Sequence, residues 1–249
     1  MLGGGIESEV ILAICMGIGA ALYSSVGHAG ASAYLALMAL FGVPPATMRP
    51  TALVLNIIVA TFGSIRFIRA GLFRWQTLWP FLVGALPFAF VGGALKLPGD
   101  VYKQLVGAVL LLSAARLLWP REIRALRETS DPPVWVAIVL GAMIGLLSGL
   151  TGTGGGIFLS PLLLFMAWSA PKPTSGVASL FILCNSTAGL LGNLASVQQL
   201  PADLPLFAGA VLTGALVGTT LGIRLQAPII LKALGVVLIV AGLKLLGIY

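Results

Sequence analysis

Two glycine-rich breaks interrupt apolar stretches at corresponding places in the two halves of this chain. The first occupies residues 24–32, and the second occupies residues 151–156 and holds four glycines. Gly152 follows Gly27 by 125 positions, and other residues recur at similar offsets. Apolar segments that are broken at matching places in two repeats are typical of duplicated membrane transporters, whose binding sites lie at the breaks.

The composition makes lipid the solvent of this chain. Of 249 residues only 8% are charged and 59% are hydrophobic, with a mean hydropathy of +1.08, whereas a soluble domain carries roughly 25% charged residues. Apolar stretches of about 17 to 25 residues recur from end to end, and each is long enough to cross a bilayer. The net charge of +7 resides at the ends of these stretches, as the positive-inside bias requires, so we expect no nucleic-acid partner.

We predict an all-α polytopic membrane protein with ten helical segments, five in each half. The segments span about residues 8–26, 31–43, 50–69, 76–96 and 101–119, then 134–150, 156–168, 175–197, 203–223 and 228–248. Residues 1–120 are the first transmembrane repeat, residues 121–133 a polar cytoplasmic linker, and residues 134–249 the second transmembrane repeat. The glycine-rich breaks fall between segments one and two of each repeat.

The second segment of each repeat is short. Thirteen residues reach roughly 20 Å, which is less than the hydrocarbon thickness. The first two segments of a repeat therefore either form a hairpin that dips into the bilayer or cross it separately. Both arrangements leave an odd number of crossings in each half, so we expect the two repeats to be inverted relative to each other.

Arginine clusters set the predicted orientation. Arg66, Arg69 and Arg74 follow the third segment, and three more arginines lie in the linker, whereas the opposite side carries fewer cations. Because cytoplasmic loops are enriched in Lys and Arg, we expect the linker inside and both termini outside, in a multi-pass protein of the inner (plasma) membrane. Glu7 and Glu9 stand where a signal peptide would carry positive charge, so we expect the first segment to be retained.

The second break has the composition of an anion site. Four glycines within five residues would each cost a helix roughly 1 kcal/mol relative to alanine, and a membrane tolerates such a break only where it is buried in protein or lines a cavity. The break frees backbone N–H groups, and a helix that begins near Gly156 adds the positive end of its dipole. Close helix packing is the alternative, and we favour it for scattered glycines such as Gly84 and Gly218.

The first break contains the single histidine of the chain, His28. An ionisable residue within a transmembrane region is costly and is by default a functional hypothesis. His28 could donate a hydrogen bond to an anion, or titrate near neutral pH and couple transport to protons. The alternative is a neutral imidazole that is hydrogen-bonded to a serine or a carbonyl.

Asn56 and Asn185 occupy nearly equivalent positions on the third segment of each half. A buried amide must find partners, so these side chains either bridge two helices or line a polar cavity. The hydroxyl residues that would share this cavity are Ser179, Ser186 and Thr187. Arg49, just before Pro50, is either an anion ligand or an end-of-helix charge.

The sequence offers no enzyme constellation. A Ser–His pair from Ser24 or Ser25 with His28 is the one candidate dyad, and its spacing serves packing as easily as catalysis. We therefore predict that the protein is not an enzyme and needs no cofactor or metal. Cys15 and Cys184 lie within separate apolar segments and are interpreted as small packing residues.

The second break resembles the TauE/SafE family of sulfite exporters and organosulfur anion transporters. Residues 152–161, Gly-Thr-Gly-Gly-Gly-Ile-Phe-Leu-Ser-Pro, fit the family's glycine-rich pattern, and residues 185–189, Asn-Ser-Thr-Ala-Gly, are similar to its downstream stretch. The first half departs from the pattern, because residues 27–31, Gly-His-Ala-Gly-Ala, have alanines where glycines are usual. The resemblance implies movement of small sulfur-containing anions such as sulfite, thiosulfate or an organosulfonate.

We therefore predict a transporter that binds a small anion between the two breaks and alternates access by moving one repeat against the other. An anion channel and a non-transporting membrane subunit of a larger complex are the alternatives. The expected partners are the small anion and the lipid bilayer, and a homodimer is left open. The predicted substrate-binding residues are Ser25, Gly27, His28, Gly30, Ser32, Asn56, Thr151, Thr153, Gly154, Gly155, Gly156, Ser179 and Asn185.

Overall fold

The computed structural model describes residues 6–118, 129–194, 200–224 and 228–248, and all regular structure within those ranges is helical. The predicted all-α class is thereby confirmed. The helices are α1 (Ile6–Ser24), α2 (Ala31–Leu40), α3 (Pro45–Arg69), α4 (Trp75–Ala94), α5 (Gly99–Leu118), α6 (Val134–Thr151), α7 (Gly156–Phe165), α8 (Pro171–Gly192), α9 (Leu204–Arg224) and α10 (Pro228–Leu245).

Five of the described helices, α1, α3, α4, α6 and α8, are long and apolar enough to cross a membrane. By contrast, α2 and α7 have ten residues each, or about 15 Å, roughly half the hydrocarbon thickness. Neither of these two short helices can span a bilayer alone. The molecule is therefore a multi-pass helical membrane protein in which the second helix of each half is a short segment.

The third helix of each half begins earlier than the sequence predicts. The expected starts were residues 50 and 175, but α3 begins at Pro45 and α8 at Pro171. A proline at the first helical position loses no hydrogen bond, because its N–H would be unpaired there in any case. Pro50 therefore lies inside α3, where it removes one backbone bond near the start without ending the helix.

The main helix contacts run between the two halves. α1 packs against α9, and α4 packs against α6 in the corresponding way; α3 packs against α8, and α5 against α10. If each helix is replaced by its counterpart in the other half, the α1–α9 pair becomes the α6–α4 pair. The α3–α8 and α5–α10 pairs are then each mapped onto themselves. The repeats are thus interleaved rather than separate. The inverted insertion of the two halves stays a prediction.

The described part of the linker, residues 129–133, lies at one end of the helix bundle. We call this end of the bundle the linker end. Asp131 accepts a hydrogen bond from Arg74 at 3.0 Å, just before α4 begins. The Ser130 N–H donates to the carbonyl of Ala167 at 3.1 Å, just after α7 ends. The pair α6 and α7 therefore starts and finishes at the linker end. Residues 121–128 of the predicted linker lie outside the described residues.

The opposite end of the bundle is held by buried Arg49 near the start of α3. Its guanidinium donates to Leu95 O at 3.0 Å, to Gly92 O at 2.7 Å and to Gly93 O. These are the last carbonyls of α4, where the negative end of the helix dipole favours a cation. Arg49 is thus a capping residue for another helix, and its Nη atoms bind protein rather than an anion in this conformation.

Buried apolar side chains form two clusters. The first joins α1, α2, α3, α5, α9 and α10, and the second joins α4, α6, α7 and α8. Ile157 and Ile182 come from α7 and α8 but belong to the first cluster. The boundary between the clusters therefore passes beside the start of α7, at the second glycine-rich break.

Glycines let the helix pairs that join the halves approach to backbone contact. A Cβ at Gly84 would lie 2.0 Å from the carbonyl oxygen of Ile138 on α6, and one at Gly218 would lie 2.0 Å from that of Ala21 on α1. No side chain fits at these distances. The packing interpretation of Gly84 and Gly218 is confirmed.

We expect Gly84→Ala to lower the free energy of unfolding by about 1–3 kcal/mol, the usual cost of overpacking. Gly209→Ala is the matched control, because Gly209 also lies inside a helix but a Cβ there meets nothing within 4 Å. The control should be neutral or stabilising by up to about 1 kcal/mol. Thermal unfolding of the two purified variants checks this prediction, and equal midpoints would contradict it.

Candidate functional site

The two glycine-rich breaks meet in the core through His28. Its Nε2 atom lies 3.0 Å from the carbonyl oxygen of Gly156 and 3.1 Å from the hydroxyl of Ser160, both on α7. The side chain is 4% exposed. Ser160 was not among the predicted site residues, although it stands in the stretch that follows the glycines; its position one turn after Gly156 was the available signal.

Both ring nitrogens of His28 face carbonyl oxygens. Nδ1 lies 3.1 Å from the carbonyl oxygen of Val26, on the side opposite to the Gly156 contact. A neutral imidazole has one N–H and can donate to only one of these carbonyls, whereas an imidazolium can donate to both. The ring is therefore held between two carbonyl oxygens, with the Ser160 hydroxyl as a further partner.

The second break is a turn that requires glycine. α6 ends where the Gly152 N–H donates to Ser148 O at 2.8 Å, and α7 begins at Gly156. Between them Gly152, Gly154 and Gly155 have φ angles of +84°, +75° and +80°. Residues with a Cβ adopt such angles at a cost of about 1–2 kcal/mol each. The glycines are thus explained by the backbone path that ends one helix and starts the next.

This turn leaves backbone donors unused at the start of α7. Within the described residues, the N–H groups of Gly154, Gly155 and Gly156 donate to no protein acceptor. They lie at a helix N-terminus, where the dipole is positive and anions bind favourably. The geometry therefore provides three adjacent donors for a negatively charged ligand.

Two asparagines hold the carbonyl side of the same turn. Asn56 Nδ2 lies 3.5 Å from Gly152 O and 3.4 Å from the Ser186 hydroxyl, and Asn185 Nδ2 lies 3.3 Å from Gly154 O. Both asparagines are fully buried, and their Oδ1 atoms accept no hydrogen bond. The bridging role that the sequence left open is therefore present, and each amide also offers a free acceptor.

The first break is held mainly by serines of α8. The Ser179 hydroxyl donates to Gly27 O at 2.9 Å, and the Ser175 hydroxyl donates to Val26 O at 3.1 Å. Gly27 itself has a φ of +78°, and a Cβ there would lie 2.4 Å from the Cα of Ser175. Since Asn185 is also on α8, this one helix contacts both breaks.

Two predicted hydroxyl residues bond away from the breaks. The Ser25 hydroxyl donates to Leu22 O of its own helix at 2.7 Å, and the Ser32 hydroxyl lies 3.4 Å from that of Ser113 on α5. Thr187 is exposed and bonds to its own helix, so the expectation that it lines a cavity with Asn185 is wrong. Each of these side chains points away from the breaks because of the helix face on which it lies. The sequence alone does not show which way that face is turned.

The threonines of the second break pair with each other. The hydroxyls of Thr151 and Thr153 lie 2.9 Å apart, and Tyr102 of α5 donates to Thr151 O at 3.1 Å. Tyr102 was not among the predicted site residues, because its partner lies 49 positions away along the chain. In the first break Gly30, with a φ of +105°, precedes α2 and contacts the ring of Tyr34.

The site is closed in this conformation and contains no metal-ligand cluster. His28 is 4% exposed, and Asn56 and Asn185 are 0% exposed. No group of three His, Cys, Asp or Glu side chains that could hold a metal occurs among the residues described. Cys15 and Cys184 are free thiols.

Comparisons with known proteins agree with this architecture. The chain is 40% identical over 245 residues to "Probable membrane transporter protein y4hK" of Sinorhizobium fredii, covering 96% of this chain and 99% of that protein. It is 27% identical to "Probable membrane transporter protein YjnA" of Bacillus subtilis, covering 91% and 95% of the two chains. No solved structure matches.

A family model covers nearly the whole chain. The model described as "Sulfite exporter TauE/SafE" matches residues 11–245, a range that includes both glycine-rich breaks and all ten helices in whole or in part. This match and the two relatives above identify the molecule as a membrane transporter. The chain belongs to the sulfite exporter TauE/SafE family.

Proposed function

We propose that this protein moves a small sulfur-containing anion across the plasma (inner) membrane and binds it at the second glycine-rich break. The observation that carries the proposal is the row of three unused N–H donors on Gly154, Gly155 and Gly156, at the positive end of α7. Such donors favour an anion, and no Asp or Glu is among the buried polar residues that the structure describes.

The family description supports the choice of anion, because it names a sulfite exporter. Sulfite, thiosulfate and an organosulfonate each present several oxygens on one sulfur atom. Adjacent oxygens of this kind match adjacent backbone donors, and the hydroxyls of Thr151 and Thr153 lie next to them in sequence and are buried. His28 adds a donor or a proton carrier beside Gly156.

Alternating access by two inverted repeats is the mechanism we propose. It is supported by the equivalent contacts of α1 with α9 and of α6 with α4. It is also supported by the two short helices, which end at opposite ends of the bundle. α7 ends at the linker end. Leu40, the last residue of α2, accepts a hydrogen bond from Lys244, which lies near the C-terminus of α10. In this proposal the linker is cytoplasmic and both termini are outside.

The clusters of buried side chains suggest which parts move. The boundary between them runs through the contacts of His28 with α7 and of Asn56 with Gly152. Opening at this boundary would expose the N–H donors, at the cost of parting Ile157 and Ile182 from the first cluster and α8 from α3. Access would then change by rocking α4, α6, α7 and α8 against the remaining helices.

The proposed activity is tested with the purified protein in liposomes. Radiolabelled sulfite, thiosulfate and a short alkylsulfonate are offered separately, with protein-free liposomes as the control. We expect saturable flux of at least one of these anions, inhibited by the other two at excess. Absence of flux for all three would overturn the proposed substrate class. A flux far above about 10³ per second per protein would indicate a channel instead.

We expect Gly155→Ala to lower the transport rate at least about tenfold, because the new Cβ would lie 2.8 Å from the ring of Phe181 and 2.9 Å from Asn185 Nδ2. The turn would then have to distort and misplace its donors. Gly42→Ala is the matched control: Gly42 has a similar φ of +74° but open space around it, so it bears the same backbone strain of about 1–2 kcal/mol.

The Gly42 variant should keep its rate within about twofold. Both variants are compared at equal amounts of protein in the membrane, measured by immunodetection, so that a loss of folding is not counted as a loss of transport. If the two variants transported equally well, the turn would be a packing feature and not the anion site.

We expect His28→Gln to retain anion binding but to lose the dependence of transport on an imposed pH gradient. The amide can still donate to Gly156 O, but it cannot carry a proton. Ser160→Ala is the control, because it removes the hydroxyl contact of Nε2 and leaves the imidazole. Transport is measured in liposomes with and without a pH gradient. Intact gradient dependence in the Gln variant would remove His28 from the proton path.

A further inference from the structure

A surface groove between α3 and α9 lies apart from the glycine-rich breaks. It has a volume of about 720 Å³, within the range of roughly 300–1,000 Å³ that small-molecule sites occupy. Its walls are apolar and come from both helices: Phe62 and Ile65 on α3, and Leu216 and Val217 on α9. Because α3 and α9 belong to different halves of the chain, an occupant would contact both halves.

The apolar walls face outward. Ile65, Leu216 and Val217 are 45%, 41% and 50% exposed, and α3 is one of the helices that are long and apolar enough to cross the membrane. These side chains therefore face hydrocarbon. A hydrocarbon chain is the natural neighbour of such a surface.

Arg66 places a fixed positive charge at one end of the groove. Its Nη1 atom donates to Leu216 O at 3.0 Å and to the hydroxyls of Thr219 and Thr220 at 3.0 and 2.7 Å. Its guanidinium also stands 5.8 Å from the centre of the Phe62 ring. These contacts hold the side chain in place without neutralising it, because every one of its partners is uncharged.

Arg69, one turn further along α3, adds a second charge to the same groove. The ion pairs found among the described residues are Arg74 with Asp131 and Lys103 with Asp100, so neither groove arginine is paired there. Two cations that form no ion pair within the described part of the chain, at the border of an apolar groove, are complementary to a ligand with an anionic head and an apolar tail.

The depth of the groove in the bundle fits the membrane interface. Arg69 is the last residue of α3, and α4 begins six positions later with Trp75, which is 54% exposed. Tryptophan is enriched at the level of lipid headgroups. Arg69 thus lies at headgroup level, and Arg66 lies one turn deeper, beside the apolar wall of Ile65 and Val217.

We propose that this groove binds an anionic phospholipid, with its phosphate between Arg66 and Arg69 and an acyl chain along Ile65 and Val217. The apolar wall distinguishes this ligand from a soluble anion, which would gain nothing from it. A lipid in this position links α3 to α9, and so the two halves, at the linker end. The proposal does not depend on the nature of the transported substrate.

The full-length protein, purified in an uncharged detergent, is titrated with short-chain phosphatidylglycerol while its thermal unfolding midpoint is followed. Phosphatidylcholine of the same chain length and inorganic phosphate are titrated in parallel. We expect a saturable rise in the midpoint with phosphatidylglycerol alone, because a ligand that binds only the folded state stabilises it.

Arg69→Gln should weaken the apparent affinity for phosphatidylglycerol about fivefold, as expected for one arginine at a membrane surface. Lys172→Gln is the matched control. Lys172 lies outside the groove, at the start of α8. The same helix reaches the α3–α4 turn, because Gly176 lies against the carbonyl oxygen of Leu72. The control should keep its affinity within about twofold. An equal loss in both variants would indicate general charge attraction and overturn the site.

Val217→Trp fills the apolar part of the groove and leaves both arginines in place. It should weaken phosphatidylglycerol binding at least as much as Arg69→Gln. Unchanged binding in both Val217→Trp and Arg69→Gln would overturn the proposal. A midpoint rise with inorganic phosphate that equals the rise with phosphatidylglycerol would also overturn it, since the ligand would then be a soluble anion.

Discussion

A broken helix inside a bilayer must find partners for the backbone groups that it frees, and the site is organised by this requirement. Hydrocarbon offers none, and each unsatisfied group costs several kcal/mol. At the second break the carbonyls of Gly152 and Gly154 are met by Asn56 and Asn185, and His28 contacts the carbonyl of Gly156 at the start of α7. The N–H groups beside them are left unmet. The break is therefore electropositive, which is the condition for holding an anion without a charged ligand.

The partners of the breaks come from distant parts of the chain, and this couples the two breaks. α8 supplies Asn185 to the second break, and Ser175 and Ser179 to the first. His28 then joins the first break to α7 across 128 positions. A displacement of α8 would alter the hydrogen bonds of both breaks together. The first break, which departs from the glycine pattern, supplies the side chain of His28 to the contact with α7.

The sequence was sufficient for those features that local chemistry decides. Hydropathy located ten helices, and glycine clusters located both breaks, because each signal lies within a few consecutive residues. It did not reveal that Arg49 caps α4 or that Tyr102 holds Thr151, since those pairings join positions more than forty residues apart. The start of α3 at Pro45 was missed for another reason. A proline can stand at the first position of a helix, as Pro45 does, or within its first turns, as Pro50 does, so the proline alone does not mark the start.

Close packing limits how such a molecule can open. Gly84 lies in backbone contact with α6 and Gly218 with α1, and both contacts join one half of the chain to the other. Separating the halves as rigid bodies would break these contacts along their whole length. Separating the two buried clusters would keep the α1–α9 and α4–α6 contacts, but it would part α3 from α8 and break the polar contacts around Gly152 and Gly156. Hydrogen bonds of this kind are worth only about 1 kcal/mol each net, and an arriving anion can replace them. The glycine contacts of Gly84 and Gly218 therefore join helices of different halves within each buried cluster.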